Sequence, residues 1–220
     1  IKYYLGYYEE AISIFKECID YYKTTNVRAY LNSLHLLGLC YNMIGDHGLC
    51  TAINEQGIAE GRRRGNLEMA SYFLHSEGVN QSAIHNYSVG IKTIESALPQ
   101  IKSNNDFANE AVGYFYIGKN YWGLGKKEKA ILYFKLVDNI FTKYDYIRPD
   151  LREGYEIMIS YYKEKNIPRT QLHYIERLLQ IDKKLHDTYR YLQGKVRKEY
   201  DTKQLMIEKT NLEMSLQRRK

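Results

Sequence analysis

The chain has 220 residues, 44% of them apolar and 26% charged, and a net charge of +6. That apolar share suffices for a core, and no run of about eighteen apolar residues is present to span a membrane as a helix. No secretory leader is visible. With only three prolines the chain reads as nearly all helical. Its 23 tyrosines suit helix-pair packing, because the ring buries while the hydroxyl reaches water. Cys18, Cys40 and Cys50 are odd in number and lack metal-ligand spacing, which argues against a disulfide framework and for reduced thiols in the cytoplasm.

The chain opens with Tyr4-Leu5-Gly6-Tyr7-Tyr8-Glu9-Glu10-Ala11, which reads as a helix end, a turn and the start of a second helix. The first helix of that pair is then largely missing, so further repeats or another domain are expected upstream. Leu34, Leu37, Gly38 and Tyr41 fall at 3, 1 and 3 spacing, one face of a helix. Gly45-Asp46 is the turn that follows, and Asn54 stands where an aromatic is expected in the second helix. The next pair has Leu74 and Gly78, then Ile94 and Ala97, with Gln81 at the tyrosine position. The clearest pair spans residues 112–137. Tyr114, Ile117, Gly118 and Tyr121 stripe its first helix; Ala130, Phe134 and Val137 stripe its second; Gly123-Leu124-Gly125 joins them. Glycine at 118 costs a helix about 1 kcal/mol relative to alanine, tolerable where another helix approaches closely.

Tyr155, Met158 and Tyr162, then Leu172, Ile175, Leu178 and Leu179, form a fifth pair around a turn at Asn166 and Pro168. Two more helices are predicted over 188–200, with Gly194 inside, and over 202–219. Asp201 caps the latter with Gln204 three residues on, and Leu205, Leu212 and Leu216 face its predecessor. Charge collects here. Positions 183–220 hold eleven Lys and Arg against five Asp and Glu, while the first 182 residues hold twenty-one of each. A solvated helical face accounts for such a run, and an anionic contact, with nucleic acid or an acidic partner domain, is the sharper reading.

Two registers repeat together. Gly38, Gly78 and Gly118 stand 40 residues apart, and the small residues Ala11, Cys50, Gly90 and Ala130 follow at steps of 39, 40 and 40. The pattern Tyr114-x2-Ile117-Gly118-x2-Tyr121, then Ala130-x3-Phe134, resembles a tetratricopeptide (TPR) repeat, with Thr142 in place of the usual proline. The expected fold is therefore all-α, a right-handed superhelical array of antiparallel helix pairs. This TPR-like α-solenoid of about 40-residue repeats covers 1–182, and 183–220 form basic C-terminal helices acting as a cap or a linker. The period exceeds the usual TPR length of about 34, so longer helices or longer loops around 62–66 and 103–106 are expected.

The resemblance implies that the first helices line a concave groove. It assigns Asn32, His35, Leu39 and Asn42 to that groove, then Tyr72, His75, Val79 and Ser82, then Val112, Phe115, Lys119 and Trp122. Asparagine amides suit the backbone of an extended peptide, Lys119 suits a carboxylate, and Trp122 offers a ring. The set taken as binding residues is Asn32, His35, Asn42, Tyr72, His75, Phe115, Lys119 and Trp122. The lysine pattern of chaperone-cofactor TPR domains is not reproduced.

No catalytic signature is present: no phosphate-cradling loop, no His-Glu-x-x-His, no Cys-x-x-Cys, no Gly-x-Ser-x-Gly. The expectation is a non-enzyme without cofactor or metal. Residues 189–216, with Arg197-Lys198-Glu199-Tyr200-Asp201-Thr202-Lys203-Gln204-Leu205 and Glu208-Lys209, resemble the region after TPR arrays in bacterial helix-turn-helix transcription regulators. That likeness implies a regulatory sensor or interaction part, binding a protein or peptide. Nucleic acid would be reached only through a domain absent from this chain, and a homodimer through the C-terminal helices. The alternatives are a plain protein scaffold and a peptide-pheromone-sensing TPR protein.

Overall fold

The computed structural model describes residues 2–188 and 202–217. The chain divides into two compact units, Ile1–Lys126 and Lys127–Lys220. Apart from Thr188, the helix expected over 188–200 lies outside the described residues, as does the Asp201 cap.

The first unit holds, among the described residues, a short α1 (Lys2–Leu5) and six long helices: α2 (Tyr8–Tyr22), α3 (Val27–Ile44), α4 (His47–Arg63), α5 (Leu67–Ala83), α6 (Tyr87–Ser103) and α7 (Phe107–Gly123). Each packs on the next, and the first helices α3, α5 and α7 also abut in sequence order. The 40-residue period closes on helices rather than loops. α5 and α6 are 17 residues each, and only residues 84–86 and 104–106 separate α5, α6 and α7. The surplus over a shorter repeat thus lies in helix length.

Local chemistry sets these boundaries. The side chains of Asn26, Asp46, Asn66 and Asp106 accept hydrogen bonds from backbone amides at the starts of α3, α4, α5 and α7. A left-handed residue ends most helices, Gly45 after α3 and Gly65 after α4 at φ 83° and 69°, and His85 and Asn105 occupy the corresponding places at φ 64° and 55°. Tyr30, Leu31, Leu34, Met69 and Phe73 form the core between the repeats. Leu37, Tyr41 and Cys50 form a second cluster with Ile12, Phe15 and Ile53.

A polar ladder crosses the first unit. Asn42 Nδ2 donates to Asn80 Oδ1 at 2.9 Å, and Asn120 Nδ2 donates to Ser82 Oγ at 2.8 Å. In repeat register these are equivalent bonds, one period apart. Asn80 Nδ2 also donates to the His47 carbonyl (2.9 Å) and Thr51 Oγ1 (3.0 Å). Asn54, placed where an aromatic was expected, is buried and donates to Glu77 Oε2 at 2.9 Å. Thr51 and Gln81 donate to the other oxygen of Glu77. Two of its amide oxygens, Asn54 Oδ1 and Asn120 Oδ1, are buried without a hydrogen-bond partner among the described residues, so the network is only partly satisfied.

The second unit holds α8 (Lys127–Tyr144), a 3₁₀ turn (Pro149–Leu151), α9 (Arg152–Glu164), α10 (Pro168–Thr188) and α11 (Thr202–Gln217). Arg152 is buried and joins Asp182 through two bonds, Nε to Oδ1 at 2.6 Å and Nη2 to Oδ2 at 3.1 Å, while its Nη1 meets Glu156. Asp138 takes bonds from Tyr155 (3.1 Å) and Arg177 (2.9 Å). α11 packs on α10: Leu205 is fully buried, and Leu212 and Leu216 are half-buried. Lys163 and Gln171 both meet Glu208, and Lys209 meets Glu176. α10 runs unbroken through position 182 to Thr188.

Candidate functional site

A cleft of about 440 Å³ opens in the first unit where α3, α5 and α7 abut. Arg28, Asn32 and His35 reach it from α3; Asn66, Glu68, Met69 and Tyr72 from the start of α5; Asn109 from α7. Its floor is fixed. His35 Nε2 is 2.8 Å from Ser76 Oγ, and its ring meets Phe73 edge-on at 5.3 Å. The Tyr72 hydroxyl donates to Asp106 Oδ2 at 2.9 Å, and Asn109 Nδ2 donates to the same oxygen at 2.8 Å. Desolvation works to raise the Asp106 pKa, but the bonds from the Asn109 backbone and side chain and from Tyr72 outweigh it, and the net shift is downward. The carboxylate therefore stays charged and holds the tyrosine in place.

Burial pulls the His35 pKa down to about 4, against a smaller upward pull from its bond to the Tyr72 backbone. The imidazole is neutral in the folded chain. As pH falls below the ordinary value of 6.5 toward 4, the unfolded chain takes up a proton that folded His35 refuses. Stability of the unit should fall across that window and not above it. His35→Gln should flatten this part of the profile, as urea-unfolding midpoints taken through the same pH range would show.

Of the eight sequence-assigned binding residues, the structure brings Asn32, His35 and Tyr72 to the cleft. Asn42 is half-buried, with its amide engaged by Asn80. His75 and Phe115, expected to face a groove, are buried at 4% and 1% exposure. For His75 the reason lies across the helix interface. Its ring lies against Gly113 of α7, where an added Cβ would come within 3.2 Å of Nε2. Lys119 and Trp122 are half-buried, and the Lys119 ammonium lies 5.5 Å from the Phe115 ring centre. The sequence reading missed Arg28, Asn66, Glu68, Met69 and Asn109. Arg28 and Glu68 lie four residues before Asn32 and Tyr72, one helical turn up the same face, so extending the assigned stripe by one turn would have found both. Among the described residues, no group of three His, Cys, Asp or Glu is placed to hold a metal ion, and no helix is long and apolar enough to cross a membrane.

Helix-pair stacking with a cleft on the first-helix face defines a TPR-like repeat fold, and solved structures share it. BtubC (BKLC) from P. vanneervenii aligns with a TM-score of 0.68 at 13% identity, covering 84% of this chain and 77% of that one. A putative kinesin light chain from Podosopora anserina with nearly identical TPR-like repeats aligns at 0.55 and 14%, covering 86% and 97%. A single-residue variant of that protein aligns at 0.55 and 14% too. No family model and no curated protein matches the chain.

Proposed function

We propose that this chain is a non-enzymatic protein- and peptide-binding TPR module whose cleft between α3, α5 and α7 takes an extended segment of another protein. One observation carries the reading: Asn32, His35 and Tyr72, assigned to a binding face by repeat register alone, line a single cleft with a fixed floor. Its volume lies within the usual range for ligand sites, roughly 300–1,000 Å³. Lys119 and Trp122, half-buried on α7, are assigned to the same groove by repeat register alone and take the far end of the ligand.

The finer reading is the sensor or interaction part of a bacterial transcription regulator. Its support is the likeness of residues 197–209 to the segment after the repeats in such proteins. The ligand then acts by binding one pitch of the array better than another. Pairing of two copies through α11 is supported by its exposed Met206, Ile207 and Met214. α11 itself packs on α10, as a capping helix does.

Selection of a random peptide display library on the purified chain tests the cleft. Peptides should be enriched, and Asn32→Ala should weaken the best of them about tenfold, the equivalent of about 1.4 kcal/mol. The Asn32 side chain is exposed and makes no hydrogen bond among the described residues, so the melting curve should not move. Enriched peptides that bind equally well after Asn32→Ala would place recognition elsewhere.

A further inference from the structure

Two charges stand at the rim of the cleft. Arg28 and Glu68 both line it, both are exposed, and neither makes a hydrogen bond or ion pair among the described residues. Most other cleft residues are committed: Asn66 caps α5, Tyr72 and Asn109 bind Asp106, and His35 meets Ser76. The two are also equivalent in the repeat, one period of 40 apart, each the second residue of its helix.

Stability does not account for Arg28. The amino-terminal end of a helix carries partial positive charge, so a cation there is unfavourable. α3 has no acidic residue in its first turn to offset it. Glu68 has the sign that its helix end favours. One helix therefore holds an uncompensated cation and its neighbour an unpaired anion, on two sides of one opening.

We infer that the cleft reads a peptide of mixed charge, an acidic residue pairing with Arg28 and a basic residue with Glu68, in one chain direction. The inference rests on the peptide-binding reading of this cleft. Adjacent packed helices have axes about 8–10 Å apart. An extended chain advances about 3.3–3.6 Å per residue. The two ligand charges therefore stand roughly three positions apart, with the residues between them lying over Met69 and Tyr72. Because Arg28 and Glu68 differ in sign, the order of acid and base fixes which way the peptide runs.

The test is a random peptide display library selected in parallel on the native chain and on the double variant Arg28→Glu, Glu68→Arg. The native chain should enrich peptides with acid and base two to four positions apart in one order, and the double variant should enrich the reverse order. Arg28→Ala should weaken a native-selected peptide about threefold to tenfold, an effect that shrinks at high salt. Its melting temperature should hold or rise slightly, since a mispositioned cation is gone. Enriched peptides with no paired charges, or with the same order on both proteins, would overturn the inference and leave the cleft reading standing. No enrichment on the native chain would overturn both.

Discussion

Arg152→Ala should lower the stability of the second unit by about 3–5 kcal/mol, the usual cost of removing one partner from a buried ionic group. The Arg152 side chain is 1% exposed, and those of Glu156 and Asp182 are 4% and 6% exposed. Desolvation works to lower the guanidinium pKa, and the two carboxylates outweigh it and hold it above its ordinary value. Without that shared cation, two buried carboxylates lose the guanidinium that both pair with. Urea unfolding followed by circular dichroism reads the loss. Arg152→Lys keeps the charge but not the two-pronged geometry, and should recover only part of the loss. A small loss would show that the triad carries little of the unit's stability.

Phe73→Ala should cost the first unit about 3–5 kcal/mol, as truncation of a fully buried aromatic does. The ring fills the space that Gly57 leaves open: a Cβ built on Gly57 would stand 2.2 Å from its Cε1. Gly57→Ala alone should therefore overpack and cost about 1–3 kcal/mol. Combined, the two changes should cost less than their sum, because the new methyl enters the cavity left by the ring. Denaturant melts of the two single variants and the double variant check this. Strict additivity would mean that the helices shift rather than the side chains compensate.

Much of this architecture was legible in the sequence. The 40-residue recurrence of Gly38, Gly78 and Gly118, with stripes on either side, was enough to define helix pairs and to mark Asn32, His35 and Tyr72 as sharing a face. Helix periodicity is local, so a short window reveals it. Side-chain partners one repeat away are not visible in such a window. Asn54 and Gln81 looked like lapses in an apolar pattern, yet both bind Glu77, which lies on the next repeat's helix from Asn54. His75 and Phe115 fell in the right register but inside the packing, because register gives a direction from the helix axis and not the distance to the neighbouring helix. Gly113 lets His75 seat closely, and nothing near His75 in sequence announces that.

The polar ladder has a consequence for modularity. Asn42 finds its acceptor at Asn80, and Ser82 finds its donor at Asn120, so each joint is keyed by a residue on either side of it. At the place where Asn80 and Asn120 stand, the preceding repeat has the buried Cys40, which cannot offer an amide. The repeats are thus cut like consecutive puzzle pieces rather than identical bricks. Exchanging the first two of these repeats would set the Ser82 hydroxyl against the Cys40 thiol, even though every helix would still form.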